Sequence, residues 1–227
     1  MIRKNFTLSC LAILCAVPGL SHALDDSEPL SMTYEEAPQP AARPNGPPVV
    51  EPARISQACT LHVTKVEDLR PSKGFAGNIT FMLPSPGGTP LNVQSAPSGD
   101  GAKWTGLAVR SLHRYGLRTQ EGAAVAQAPG EVSADVGLRL AHGWSAGLNL
   151  VSHVVLKVNY HLPSGDAARE YHGMGTRTNW AGGNGEYMAV LNLGIDEALR
   201  SMVADLSALC GGQTLQAQGG ASVAAAR

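Results

Sequence analysis

The sequence predicts an α+β two-layer sandwich, in which two helices cover one face of a mostly antiparallel sheet of four to five strands. Apolar residues alternate with other residues over 132–141 and again over 148–162, a pattern typical of strands with one buried face. Two other stretches, near residues 101–115 and after residue 184, carry apolar residues at helical spacing. Strands that follow one another between two helices favour this class over a parallel α/β fold.

The amino-terminal residues have the features of a secretory signal peptide. A basic start precedes an apolar run over residues 6–20 that is too short to span a bilayer. The small residues of Ser21-His22-Ala23 then form a cleavage site, and we expect cleavage after it. The alternative is lipidation at Cys10 or Cys15, which the bulky residue before the second cysteine and the short run before the first disfavour.

The predicted domain covers residues 58–211, between two segments that lack an apolar period. Residues 24–57 contain seven prolines among Ala, Glu, Asp and Ser, which predicts a disordered linker. Residues 212–227 consist largely of Gly, Ala and Gln, which predicts a disordered tail. The fold is therefore expected to have a single core of ordinary size.

The charge of the chain argues against a nucleic-acid partner. The sequence has 17 basic and 18 acidic residues. Removal of residues 1–23 eliminates Arg3 and Lys4 but no acidic residue. The mature chain then has 15 basic and 18 acidic residues, and its net charge is about −3. Nucleic-acid binders instead present a basic face.

Two cysteines remain after the signal peptide, Cys59 and Cys210. In an exported protein an isolated pair is most simply a disulfide, and here it joins the two ends of the patterned region. Two separate buried thiols are the alternative.

The first predicted strand is Cys59–Val66, and an edge strand is predicted at Ile79–Leu83. Asp100 is a favourable N-cap for a helix over residues 101–115, and Gly116 ends it. One stripe of this helix is apolar: Trp104, Leu107, Ala108, Leu112 and Tyr115.

A connection at residues 117–131 is expected to precede the two long strands. A tight turn then leads to a fourth strand, Arg169–Asn179. Gly173 and Gly175 in this strand have no side chains, which suits a helix that lies close to that face. The final helix is predicted to start with Asn184 as its cap.

Residues Gly143-Trp144-Ser145-Ala146-Gly147 match the G-x-S-x-G motif of serine hydrolases. A nucleophile elbow needs a helix after the serine, whereas the residues after Ser145 alternate as a strand. The motif is therefore interpreted as a loop between two strands, and no catalytic residue is predicted. A serine hydrolase that uses Ser145 is kept as an alternative.

The sheet face away from the helices is predicted to be polar and wet, and it is the expected place for a ligand. Its candidate residues are His153, Lys157, Asn159 and His161. An alternative is that His153, His161 and His172 lie on neighbouring strands, where two or three converging imidazoles would attract zinc or copper. The preferred interpretation is scattered polar residues without a metal.

Charged residues are dense after the first strand, at Asp68, Arg70 and Lys73. Asp68 and Arg70 point the same way and are expected to pair. One interpretation is a surface ion pair worth less than about 1 kcal/mol. The other is a contact for a partner protein.

Residues 63–77, VTKVEDLRPSKGFAG, contain the spacing V-x-D-x-R-x-x-K-x-x-x-G. This spacing resembles the signature of the YajG-like envelope lipoproteins. Two later features are similar to that family: L-x-x-x-G at Leu112–Gly116, and W-x-x-x-x-x-E at Trp180–Glu186 before the final helix. The resemblance covers residues 58–210 and implies a cell-envelope protein of α+β fold without known catalytic residues.

Together these observations predict a periplasmic, non-enzymatic accessory or adaptor protein of the bacterial cell envelope. Its expected partner is another envelope protein or an envelope polymer, and the resemblance allows association with the outer membrane. No cofactor and no transmembrane segment are expected in the mature chain. Exposed edge strands leave homodimerisation open. Besides the serine hydrolase, a His-rich periplasmic metal-binding protein is the alternative.

Overall fold

The computed structural model describes residues 30–36, 54–55, 58–79, 89–92, 100–123, 128–179 and 183–215. The predicted signal peptide lies outside these residues. The described elements are β1 (Cys59–Asp68), β2 (Phe75–Ile79), β3 (Thr89–Asn92), α1 (Asp100–Arg110), a 3-10 helix (Ser111–Tyr115), β4 (Leu117–Glu121), β5 (Glu131–Ala146), β6 (Asn149–Leu162), β7 (Gly165–Thr178) and α2 (Asn184–Cys210). These helices and strands confirm the α+β class.

All seven described strands belong to one mixed sheet with β5 in the middle. β5 pairs in parallel with β1 and then with β2 along one edge, and antiparallel with β6 along the other. β7 is antiparallel to β6, β3 is antiparallel to β2, and β4 is parallel to β1. The prediction of a mostly antiparallel sheet with four to five strands is therefore wrong.

The helix between β1 and β4 explains the parallel pairing. A parallel neighbour requires a crossover connection, and α1 with the 3-10 helix supplies it. β4 lies in the stretch predicted to be a connection. It contains one buried apolar residue, Leu117, so it shows no alternating pattern.

Both helices pack on the same face of the sheet, as predicted. Trp104 on α1 is buried, and its Nε1 donates a hydrogen bond to Oδ1 of Asn192 on α2 at 2.8 Å. Gly116 adopts a left-handed conformation, with φ of 85°, and ends the 3-10 helix. The predicted cap of the last helix is wrong, because Gly183 occupies the N-cap position and Asn184 is the first helical residue.

α2 lies close to β7 because two residues of that strand have no side chain. A Cβ atom at Gly173 would lie 2.0 Å from the carbonyl oxygen of Gly194, and one at Gly175 would lie 2.2 Å from that of Val190. The buried Ser152 of β6 also donates a hydrogen bond to the Val190 carbonyl at 2.6 Å. The expectation that the two glycines allow a close helix is confirmed.

A bulge in β5 exchanges the two faces of that strand. The register with β6 shifts between Leu138 and Leu140. Before the bulge, Val136 and Leu138 face the helices. After the bulge, Gly143 faces them, and a Cβ atom added to Gly143 would lie 3.4 Å from the Tyr187 ring. The predicted loop over 143–147 is therefore wrong, since β5 continues to Ala146.

Part of the predicted linker packs onto the domain. Leu30 is 1% exposed and Met32 is 3% exposed. Ile55 is also buried, and its backbone N–H donates to the carbonyl of Tyr115 at 2.9 Å. The prediction of disorder is wrong for residues 30–36, because their alternating apolar side chains enter the common core.

At the carboxyl-terminal side, the described chain continues beyond α2. Leu215 packs against the core, so the predicted tail does not begin at residue 212. Cys59 and Cys210 are joined by a disulfide, with 5.7 Å between their Cα atoms, as predicted. The bond ties the first residue of β1 to the last residue of α2.

Candidate functional site

The sheet face opposite the helices carries the polar and aromatic side chains of the three long strands. We call it the open face and define it by eight residues that are partly or fully exposed: His142, Trp144, His153, Lys157, Asn159, His161, His172 and Met174. All four residues predicted for the ligand face lie on it. The strand register divides it into two ends.

The end near the β5–β6 turn is aromatic and apolar. His142, His153 and Met174 form one row, since each pairs with the next across β5, β6 and β7. Met174 is 61% exposed. The ring of His142 lies 5.7 Å from the Trp144 ring and 5.7 Å from the Phe75 ring of β2, measured between centroids.

His153 and His172 are in direct contact on this end. Nε2 of His153 lies 3.3 Å from Nδ1 of His172, and the two rings are stacked with centroids 5.5 Å apart. Burial lowers the pKa of His153, and the neighbouring His172 and His142 lower it further. Burial also lowers the pKa of His142. The lowered pKa values favour the neutral forms of His153 and His142 at pH 7.

The other end of the open face is charged. Nδ1 of His161 lies 3.0 Å from Oδ1 of Asp166, and its Nε2 lies 3.4 Å from Oδ1 of Asp135. Asn159 donates a hydrogen bond to the other oxygen of Asp166 at 3.3 Å. The hydrogen bond to Asp166 raises the pKa of His161. Lys157 pairs with Glu170 in register between the two ends.

Of the three histidines considered as metal ligands, His161 lies apart from His153 and His172. His161 is eight residues from His153 along β6, a distance of about 26 Å in a strand. The third imidazole near the pair is instead His142, which falls in the break between the two alternating stretches of the sequence. The bulge in β5 places His142 on this face, and the alternating sequence pattern does not predict that bulge.

Ser145 does not lie in a nucleophile elbow. It is inside β5, which is followed by a two-residue turn and another strand rather than by a helix. Its hydroxyl lies 2.9 Å from the hydroxyl of Tyr187 on α2. Burial raises the pKa of Tyr187, so this phenol is not a base at neutral pH.

Asp68 and Arg70 pair as predicted, but the pair is buried. Their side chains are each 3% exposed, and two parallel hydrogen bonds join them, at 2.9 Å from Nε and 2.7 Å from Nη2. The surface ion-pair interpretation is therefore wrong. Asp68 lies against the first turn of α1, where a Cβ on Gly101 would be 2.3 Å from its Oδ2.

Of the three residues predicted to contact a partner, Lys73 alone is exposed. Its carbonyl oxygen accepts a hydrogen bond from Nη2 of Arg70 at 3.3 Å. The ion pair thus fixes the loop after β1 to the domain. Asp68 and Arg70 are not accessible to a partner in this arrangement.

Two absences among the described residues bear on the site. No group of three or more His, Cys, Asp or Glu side chains in them is placed to hold a metal ion. None of their helices combines the length and apolar character that a membrane span requires.

A groove of about 240 Å³ lies between β1, α1 and β4, and the exposed Arg110–Glu121 ion pair lies at its rim.

The comparisons with known proteins include a likeness to a solved structure. No family model matches the chain, and no curated protein matches it. The chain is similar to a solved structure described as "Crystal structure of uncharacterized protein", at 13% sequence identity and a TM-score of 0.39. That similarity covers 67% of this chain and 94% of the other.

Proposed function

We propose that the chain is a periplasmic, non-enzymatic accessory protein that binds another component of the cell envelope through the aromatic end of the open face. The observation that carries this proposal is the exposure of large apolar side chains on a sheet face opposite both helices. Met174 is 61% exposed and Leu148, in the adjoining turn, is 58% exposed. Trp144 is partly exposed between them.

The composition of this surface supports binding to another protein. Aromatic residues and methionine are enriched in protein interfaces, and Trp in particular contributes large binding energies. Apolar side chains that cluster on a surface mark an interaction site more often than isolated ones do. An envelope protein is therefore the preferred partner over an envelope polymer.

The compartment is proposed on separate grounds. A disulfide between Cys59 and Cys210 is compatible with an exported protein, because oxidising compartments preserve such bonds. The predicted signal peptide and the resemblance to the YajG-like family support the periplasm. The buried Asp68–Arg70 pair gives part of that family signature a structural role, since it holds the loop after β1 against α1.

Site-specific photo-crosslinking in intact cells tests the proposal. A crosslinking amino acid replaces Trp144 or Met174 in the full chain, and in a matched control it replaces Ser201, which is exposed on α2. We expect a discrete adduct with one envelope protein from the two open-face positions and none from Ser201. Equal adducts from all three positions, or none from any, would contradict the proposal.

A further inference from the structure

We propose that His153, His172 and Met174 form a surface site for a single copper ion on the open face. This inference goes beyond the binding of an envelope partner, because it assigns a ligand class to particular side chains. All three lie on the accessible side of β6 and β7. His172 and Met174 are exposed, and His153 is partly exposed.

The separation of the two imidazoles fits a shared ion. Two nitrogens bound to one tetrahedral ion at 2.0–2.1 Å stand about 3.3 Å apart. Nε2 of His153 and Nδ1 of His172 are 3.3 Å apart. Hydrogen bonds between nitrogen and its acceptor are typically about 2.7–3.2 Å long, so the pair is at the long limit for a direct bond.

Met174 supplies the third donor. It pairs directly with His153 across the two strands, which places the two Cβ atoms about 4.5–5.5 Å apart. It is also two residues from His172 on the same face of β7. The methionine side chain is unbranched and has three rotatable bonds, so its sulfur can approach an ion held by either imidazole.

The donor set selects the metal. Thioether sulfur is a soft ligand that favours Cu(I), and imidazole also suits copper, whereas zinc sites use thiolate, imidazole and carboxylate. No third His, Cys, Asp or Glu completes a site with the pair in the described residues, so the thioether is required. His142 pairs with His153 in the same row, but it does not form a three-residue metal group with the pair.

The arrangement also differs from that of His161, at the charged end of this face. His161 contacts the carboxylates of Asp135 and Asp166. Its two ring nitrogens are therefore occupied by oxygen partners, while it has no methionine partner in its row. This contrast makes His161 a matched control.

Copper titration of the purified, disulfide-bonded chain tests the site. The chain competes with a chromophoric Cu(I) chelator, anaerobically and with ascorbate as the reductant. We expect one Cu(I) per wild-type chain. His153→Ala and His172→Ala should each weaken Cu(I) binding at least about tenfold, because each removes one ligand of the ion.

Three variants make the assignment specific. Met174→Leu should weaken Cu(I) binding while leaving any Zn(II) binding unchanged, since it removes the sulfur and keeps the apolar volume. His161→Ala and His113→Ala, the latter at an exposed position of the 3-10 helix, should leave Cu(I) binding unchanged. Thermal melts establish that every variant is folded.

Several outcomes would overturn the inference. One is a doubly substituted His153→Ala and His172→Ala chain that retains wild-type copper binding. Another is an equal loss in the His161 or His113 variant. A Met174→Leu chain with unchanged Cu(I) affinity would overturn the role of Met174 as a ligand and with it the proposed site.

Discussion

The hydroxyl of Tyr34 donates a hydrogen bond to Oδ1 of Asp196, with 2.7 Å between the two oxygens. Tyr34 lies in the amino-terminal segment, and Asp196 lies in the middle of α2. Arg114 of the 3-10 helix contacts the same carboxylate oxygen at 2.5 Å through its Nη2. One buried carboxylate therefore joins three parts of the chain that are far apart in sequence.

Tyr34→Phe removes this hydrogen bond and retains the ring. We expect the free energy of unfolding to fall by about 1.5–3 kcal/mol, because the lost bond is made to a charged group. Urea denaturation measures the change, and hydrogen exchange should show weaker protection of residues 30–36. Thr33→Ala, at an exposed side chain of the same segment, should stay within about 0.5 kcal/mol of wild type. Equal losses in both variants would show that this hydrogen bond is unimportant.

Gly173→Ala should weaken the packing of α2 on the sheet. The added methyl group would meet the carbonyl of Gly194 at 2.0 Å and the backbone nitrogen of Ala198 at 2.4 Å. Both of these atoms belong to the backbone and cannot move aside as a side chain could. We therefore expect the free energy of unfolding to fall by about 1–3 kcal/mol, measured by thermal or urea unfolding.

Gly185→Ala is the control for that experiment. It lies in the first turn of α2, and nothing is within 4 Å of its added Cβ. Alanine should stabilise this helical position by up to about 1 kcal/mol. A Gly173→Ala chain that is as stable as Gly185→Ala would contradict the close approach of α2 to β7.

Loss of the disulfide should destabilise the fold. Replacement of Cys59 and Cys210 by serine releases a loop with a sequence separation of 151 residues. We expect a loss of about 2–5 kcal/mol, chiefly because the unfolded chain becomes less restricted. Mass spectrometry after alkylation checks the bond itself. Modification of either cysteine in the unreduced wild-type chain would contradict it.

The hydrogen bond between His161 and Asp166 should make stability depend on pH. The pKa of His161 is raised in the folded chain, chiefly by Asp166, so this contact contributes fully below the unfolded pKa of 6.5. The contribution is lost as the pH rises through the folded pKa, which lies above 6.5.

His161→Gln removes this titration. The difference in unfolding free energy between wild type and His161→Gln should therefore shrink as the pH rises from below 6.5 through the raised pKa of His161. Urea denaturation across that range measures it, and a difference that is constant or grows with pH contradicts the assignment.

Ser145 should not react as a nucleophile. Its hydroxyl contacts the phenol of Tyr187, which is not a base at neutral pH. A fluorophosphonate probe should leave the protein unlabelled, and Ser145→Ala should cost about 0.5–1.5 kcal/mol of stability through the lost hydrogen bond. Labelling at Ser145 that disappears in Ser145→Ala would refute a non-enzymatic function.

Much of the sheet could be predicted from the alternation of residues, and the point where this failed is a single bulge. Alternation assigns side chains to faces only while the register is continuous. The extra residue near Arg139 moves Ala141 and Gly143 to the helix side and His142 to the open face. The small and polar residues after the bulge resemble a loop in sequence. For this reason neither the last part of β5 nor the position of His142 was predicted.

Two other errors have a different physical origin. β4 is short and mostly exposed, so its parallel pairing depends on long-range contacts rather than on its own composition. The segment with Leu30, Met32 and Tyr34 does alternate, but it lies among prolines that favour disorder. Burial of these three residues against the helices outweighs the local composition.

The bond between Cys59 and Cys210 has a consequence for a chain exposed to proteases. Two exposed turns, Gly147–Leu148 and Pro163–Ser164, lie between the two cysteines. A protease that cuts at one of these turns yields two fragments that remain covalently linked. Such a nicked molecule would separate into smaller species only under reducing conditions, and a single cut would not release either half of the sheet.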